Sequence, residues 1–168
     1  MKNFKLSRIL AAEFTAAMVL LAAAGNALPT THFVDANSTN ATPPYTNWAS
    51  AATNIQDAVD AAVVDEQIVV TNGLYASGSR SNTFGPNRVV VDKPLALRSV
   101  NGPSATTIVG SSSVFPVRCV YLTNGASLSG FTLTRGGNPY VGGGAFCASS
   151  EVVISNCVVS SNSAWVMG

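Results

Sequence analysis

Leu128-Ser129-Gly130-Phe131-Thr132-Leu133-Thr134 lies over Ile154-Ser155-Asn156-Cys157-Val158-Val159-Ser160 with polarity matched at most positions, at an offset of 26 residues. In the other direction, Leu122 and Leu128 fall on Val91 and Leu97 at an offset of 31. A weak repeat of this length, holding two or three short β-rich runs per period, is what one coil of a parallel β-solenoid requires. A single coil cannot bury its own apolar side chains. It does so only against the coils above and below, about 4.8 Å away through backbone pairing.

The surrounding sequence agrees. Ile68–Val70, Arg88–Val91, Leu95–Leu97, Thr107–Val109, Cys119–Leu122, Leu128–Leu133, Ala145–Cys147 and Val152–Val159 are β-rich runs separated by Gly, Asn and Pro. No helical stretch between them is long enough for a βαβ crossover. The expected fold class is all-β: a right-handed parallel β-helix of about four coils with a short N-terminal capping helix. An antiparallel sandwich is the alternative, because Asn72-Gly73, Asn101-Gly102 and Asn124-Gly125 are hairpin-turn dipeptides.

The helix is expected over residues 53–62. Thr53 is placed to cap it, with Gln56 completing a capping box. Ile55, Ala58, Val59 and Ala62 share one face, and Asp57 and Asp60 lie opposite. Residues 28–52 read as an extended polar segment. His32-Phe33-Val34-Asp35 alternates like a strand, and the stretch from Thr42 to Trp48 is a proline-fixed loop. His32, without an evident Asp or Ser partner, reads as a surface strand residue. Asp92-Lys93-Pro94 reads as a turn.

Residues 1–27 carry Lys2, Lys5 and Arg8, then an apolar run from Phe14 to Ala24, then Gly25-Asn26-Ala27. This is a secretory signal with cleavage expected after Ala27. Its eleven-residue apolar run is too short to cross a hydrocarbon core of roughly 30 Å. The expected location is secreted, extracellular or at the cell surface, with no transmembrane segment after cleavage. The remainder carries six Lys/Arg against seven Asp/Glu, a net charge of −1. With no basic stripe and no aromatic–cation interleaving, nucleic acid is excluded as a partner. Cys119, Cys147 and Cys157 sit among alternating apolar positions and read as small hydrophobes stacked inside the coil, with one disulfide as the alternative.

Ile55-Gln56-Asp57-Ala58-Val59-Asp60-Ala61-Ala62, followed by Ile68-Val69-Val70-Thr71-Asn72-Gly73-Leu74-Tyr75, resembles secreted right-handed β-helix proteins of the pectin-lyase-like superfamily. Asn124–Leu133 and Ser155-Asn156-Cys157 resemble its coils, so the likeness runs from about Thr31 to the last residue. It implies that the helix caps the N-terminal end and that the strand ending in Asn-Gly-x-Tyr opens the first coil. Asp65-Glu66 stands where the family usually has Gly-Asp; Asp tolerates the left-handed backbone of that turn. Gly142-Gly143-Gly144-Ala145-Phe146 and Val159–Ala164 are similar to solenoid-turn repeats of polymorphic outer-membrane and autotransporter passenger proteins.

The superfamily includes polysaccharide lyases and hydrolases. A calcium-dependent lyase needs converging carboxylates with an Arg or Lys base, and an inverting hydrolase needs paired carboxylates. From Val69 onward the chain offers only Asp92 and Glu151, about two repeats apart. No catalytic residue or metal ligand is assigned, no cofactor is expected, and Ca2+ would enter only for a lyase. Arg88, Arg98, Arg118 and Arg135 are candidate ligand-binding residues, since stacking on one face would let them meet an acidic polysaccharide. The competing reading is solvated turn and edge residues. Tyr121, with Tyr140, Phe146 and Trp165, is a candidate sugar-stacking platform, against plain packing.

The expected function is therefore a non-enzymatic β-helix region that binds polysaccharide or serves as a surface scaffold. The alternatives are the N-terminal part of a pectate-lyase-like lyase or glycoside hydrolase with catalytic coils beyond residue 168, and an adhesin passenger. The Ala164–Gly168 end carries no cap, so further coils of the same chain are expected there. Without them, aggregation or end-to-end dimerisation is expected.

Overall fold

The computed structural model of the protein describes residues 28–165; the expected export signal, residues 1–27, lies outside them. The chain opens with strand β1 (Thr31–Val34) and helix α1 (Ile55–Ala61). Three complete coils follow: β2 (Gln67–Val70), β3 (Gly73–Tyr75), β4 (Arg80–Asn82) and β5 (Gly85–Val91); then β6 (Ala96–Ser99), β7 (Thr106–Val109) and β8 (Arg118–Leu122); then β9 (Ser127–Ser129), β10 (Thr132–Thr134), β11 (Gly137–Asn138) and β12 (Ala145–Cys147). A fourth begins with β13 (Val153–Ser155), β14 (Val158–Ser160) and β15 (Ser163–Ala164).

Successive coils stack into three sheets: A (β1-β2-β6-β9-β13), B (β3-β7-β10-β14) and C (β4-β5-β8-β12), with β11 and β15 paired beside them. Among the described residues every coil-to-coil strand pairing is parallel, and the one antiparallel strand pair is the β4–β5 hairpin within a coil. The fold is a parallel β-helix with one short helix, and the sandwich alternative falls. The repeat read from sequence is the observed register: Leu128 pairs with Ile154, Leu133 with Val159, Leu97 with Leu128 and Val91 with Leu122.

The runs Leu128–Leu133 and Val152–Val159 each break into two strands at a sharp corner between sheets A and B. Gly130 (φ +84°) makes the corner in one coil and Asn156 (φ +48°) in the next. Both lie in the left-handed region that Gly and Asn tolerate best. Asp65 (φ +66°) takes the same conformation ahead of β2, as its residue type allowed.

Side chains of one register form columns inside the coil. Ile68, Leu97 and Leu128 stack in sheet A, Tyr75, Ile108 and Leu133 in sheet B, and Val91 and Leu122 in sheet C, all essentially inaccessible. Each full burial is worth roughly 1.5–3 kcal/mol, which no isolated coil would gain. Cys147 continues the Val91–Leu122 column but is exposed, because it belongs to the last sheet-C strand. Cys157 is half-buried and Cys119 fully buried, its thiol pushed up to about 11 by burial. All three are free, so the disulfide alternative is not realised.

Residues 28–52, read as an extended segment with a strand at its start, are tied to the first coil. β1 pairs with β2, and its other edge is closed by the following loop: Phe33 N–H donates to Tyr45 O (2.7 Å), Ala52 N–H to Phe33 O (2.9 Å) and Asp35 N–H to Ala52 O (2.9 Å). α1 lies against β5. Asn54, not Thr53, is its N-cap, accepting from Asp57 N–H at 3.0 Å. Gln56 makes no capping box. Its buried amide faces β5, accepting from Val90 N–H at 2.7 Å and donating to Val90 O at 3.3 Å, as a neighbouring strand would. Lys93 donates to Ala62 O at the C-terminal end of α1.

His32 also departs from expectation. It is 2% exposed, in register with Ile68, and both ring nitrogens have partners: Pro44 O (2.6 Å) and Glu66 Oε2 (2.8 Å). Glu66 also accepts from Val63 N–H at 2.7 Å. Burial raises the Glu66 pKa, but the hydrogen bonds from Val63, His32 and Thr30 outweigh it, and the value falls below 4.5.

Two predictions follow from the closed end. Gln56→Leu orphans the N–H and C=O of Val90 and is expected to lower stability by roughly 3 kcal/mol in urea unfolding, and Gln56→Glu is no rescue, because its carboxylate would face the Asp60 carboxylate and Val90 O where the amide now donates. The Glu66 interaction is complete above the ordinary glutamate value of 4.5 and disappears as pH falls through the lower folded value. Between about pH 7 and pH 3 the wild type should lose more stability than Glu66→Gln; equal losses would show that Glu66 is not linked to acid unfolding.

Candidate ligand-binding face

Alternation along sheet C puts Val90, Tyr121 and Phe146 in register on one side, while Val89, Val91, Val120 and Leu122 point into the core. The Tyr121 and Phe146 rings stack at 5.7 Å with planes 18° apart. Phe84, in the turn of the β4–β5 hairpin, completes a triangle at 6.0 Å from Tyr121 and 5.4 Å from Phe146. The three rings are tilted by no more than 31° from one another, and Phe84 is 42% exposed. The result is a compact aromatic patch of nearly parallel rings on a rigid sheet.

A buried polar network holds it. Arg118 begins β8 and is fully inaccessible. Its Nε donates to Gly142 O (2.8 Å), Nη2 to Val141 O (3.0 Å) and Nη1 to Asn87 Oδ1, with the guanidinium carbon 5.2 Å from the Phe146 ring centroid. No carboxylate among the described residues pairs with it. Burial lowers its pKa, and the charge is held by carbonyl dipoles and a ring face alone. Asn87, equally buried, donates to Gly85 O at 2.8 Å and ties down the hairpin. Asn138 donates to Phe84 O (2.9 Å) and accepts from the N–H groups of Tyr140 (2.9 Å) and Val141 (3.1 Å). Phe84 is thereby fixed to the same 137–142 loop that supplies two of the arginine's acceptors.

The chain between sheet B and the stacked strands of sheet C is long in each complete coil, taking in the β4–β5 hairpin in the first, and each such stretch exposes an aromatic residue: Phe84 in the first, Phe115 (84% exposed) in the second and Tyr140 (61%) in the third. Trp165 (64%) follows at the same corner of the fourth, where Ala164 pairs with Asn138. The loops lean on one another at β11, where a Cβ on Gly137 would sit 2.5 Å from Ser111 O. The 142–146 motif likewise reflects close approach: a Cβ on Gly143 would lie 1.9 Å from Ser163 O. Asn162 bridges coils, donating to Leu133 O (2.9 Å) and accepting from Gly136 N–H (2.7 Å).

The sequence-predicted arginines are not brought together. Arg118 is inside. Arg88 spends its donors on Val109 O (2.8 Å) and Gly78 O (2.6 Å). Arg98 is exposed on sheet A, and Arg135 is exposed at a left-handed corner (φ +55°) after β10. The four form no row. Tyr121 and Phe146 do meet, whereas Tyr140 and Trp165 lie on the adjoining corner. Phe84 was missed; its signal was the turn chemistry of Asn82-Thr83-Phe84-Gly85, in which Asn82 Oδ1 accepts from Phe84 N–H at 2.9 Å.

Comparison of the chain with protein-family models, with curated proteins and with solved structures finds no match.

Arg118→Leu leaves the buried Asn87 Oδ1 and the partly buried carbonyls of Val141 and Gly142 unpaired. At roughly 1–3 kcal/mol each, the loss in urea-unfolding stability should exceed about 3 kcal/mol. Arg98→Leu, at an exposed position, should change it by less than about 0.5 kcal/mol.

Proposed function

We propose that this protein is a secreted or cell-surface β-helix of the pectin-lyase-like kind whose role is to bind carbohydrate, without catalysis, along the aromatic corner between sheets B and C. The observation that carries the reading is the recurrence of an exposed aromatic side chain at one corner, coil after coil, beside the Phe84–Tyr121–Phe146 patch. Pyranose rings present C–H faces that pack on aromatic rings, while their hydroxyls need hydrogen-bonding neighbours. The loops here are rich in Ser, Asn and backbone carbonyls. A linear polymer lying along the stack would meet one ring after another.

Charge narrows the ligand class. The guanidinium set against the patch, that of Arg118, is buried and committed to protein acceptors, and Arg80 of the same hairpin is paired with Asp60, which favours a neutral polysaccharide over a polyuronate. Affinity electrophoresis and calorimetry against neutral glucans, xylans and arabinans, with polygalacturonate alongside, test this. Tyr121→Ala and Phe84→Ala are each expected to weaken binding about tenfold, equivalent to 1.4 kcal/mol, with the fold intact by circular dichroism. Binding indifferent to both substitutions would sink the proposal. Preference for polygalacturonate would refute the neutral-ligand part of it.

A further inference from the structure

The three Asn-Gly dipeptides, Asn72-Gly73, Asn101-Gly102 and Asn124-Gly125, turn no hairpin. The first two lie at corners between sheets A and B, and the third between sheets C and A. In such a pair the following backbone nitrogen can attack the side-chain amide, since glycine has no Cβ to obstruct the approach. All three asparagines are exposed to water. What separates them is the nitrogen. Gly73 N–H donates to Ala105 O at 3.0 Å and Gly102 N–H to Ser99 Oγ at 3.1 Å. Gly125 N–H donates to nothing among the described residues. Asn72 and Asn101 are also bound to each other, Asn101 Nδ2 donating to Asn72 Oδ1 at 2.8 Å. Asn124 is placed differently: Thr123 Oγ1 donates to its Oδ1 at 3.4 Å, and its Nδ2 donates to Asp92 O of the coil below at 2.8 Å.

We infer that Asn124 is a site of spontaneous covalent modification, closing a succinimide with Gly125 ahead of the other two pairs. Solvent base takes the Gly125 N–H proton, and the nitrogen bonds to Asn124 Cγ. The Cγ–Nδ2 bond then breaks, and ammonia leaves with a proton from water. The Thr123 hydroxyl sits beside the oxygen on which negative charge develops during the addition. Water opens the ring at either carbonyl, leaving Asp or isoaspartate at position 124, with no oxidant or reductant involved. The site owes nothing to the carbohydrate-binding reading. Either product removes the amide donor to Asp92 O and adds a carboxylate near Glu151, whose Oε2 is 3.9 Å from where a Cβ on Gly125 would sit. Isoaspartate also adds a methylene to the main chain of a corner whose length sets Leu122 over Val91 and Leu128 over Leu97. Conversion therefore loosens the stack at this corner.

Ageing the folded chain in mildly alkaline buffer, with tryptic digestion and mass spectrometry at intervals, is the test. Cleavage at Arg98, Arg118 and Arg135 puts Asn101 and Asn124 in separate peptides, each the only asparagine of its peptide. Fragmentation of the peptide ending at Arg80 places Asn72. Freeing a nitrogen from one net hydrogen bond slows attack by roughly two- to tenfold, so Asn124 should convert at least about threefold faster than Asn72 or Asn101. In urea, where the fold no longer selects, the three rates should draw together. Ser99→Ala removes the acceptor of Gly102 N–H and should raise the Asn101 rate toward that of Asn124, with the fold intact by circular dichroism. The inference is overturned if Asn72 or Asn101 converts as fast as Asn124 in the folded chain, if no Asn124 product accumulates, or if the same ranking persists in urea. An unchanged Asn101 rate in a folded Ser99→Ala chain overturns it as well.

Discussion

A peptide N–H or C=O that leaves its own coil must find a partner in the next one, and where no strand is available this chain supplies a side-chain amide. Gln56 on α1 pairs with both backbone groups of Val90, and Asn162 pairs with Leu133 O and Gly136 N–H across a turn. An unpaired buried backbone group costs about 1–3 kcal/mol, and a coil of 26 to 31 residues holds many of them, so pairing decides whether the stack exists at all. The apolar columns are the consequence. Leu97 and Leu128 are buried because their backbones are neighbours, and one residue of slip would turn both outward.

The same demand explains an arginine in the interior. A guanidinium without a carboxylate is costly to bury. Arg118 survives because loop 137–142 aims two carbonyls at it, Asn87 adds a third acceptor, and Phe146 offers its π face. The loop conformation that does this is set by Asn138, which also anchors Phe84. A loop that could wander is thus locked to the coil below by charge-assisted hydrogen bonds, stronger than those between neutral groups. The rigidity of the aromatic patch derives from a cation that never reaches its surface.

That burial is also why the site was harder to read from sequence than the fold. Periodicity of side-chain polarity depends on stacking alone, so Leu128 over Ile154 and Val91 under Leu122 are legible in the sequence. The left-handed turn at Asp65 and the helix face Ile55–Ala58–Val59–Ala62 were legible for the same local reasons. The arginines were misjudged because sequence spacing does not say which corner of a coil a residue occupies. Arg98 and Arg118 are 20 residues apart, less than one coil, and stand on different sheets. His32 was misjudged because its partner, Glu66, is 34 residues away and on the far side of the helix in sequence. Gln56 has a similar explanation: its capping-box spacing was present, but tertiary pairing with β5 outcompeted the local bond.

Exposed aromatic residues collect at one corner for a reason of loop length. The turn from sheet C back to sheet A is short, as from Val91 to Leu97 and from Leu122 to Leu128. The A-to-B corner can be a single left-handed residue, Gly130 or Asn156. Only the passage from sheet B to the stacked strands of sheet C is long in every complete coil, from Tyr75 through the β4 hairpin to Gly85, from Val109 to Arg118 and from Thr134 to Ala145. A short corner is fully committed to reversing the chain and has no side chain to spare. A long one adds residues whose conformation is fixed by neighbouring loops rather than by the core, and on a rigid scaffold those are the positions free to carry recognition. Stacking then sets these loops one above another, so the exposed aromatic residues Phe84, Phe115 and Tyr140 belong to successive coils.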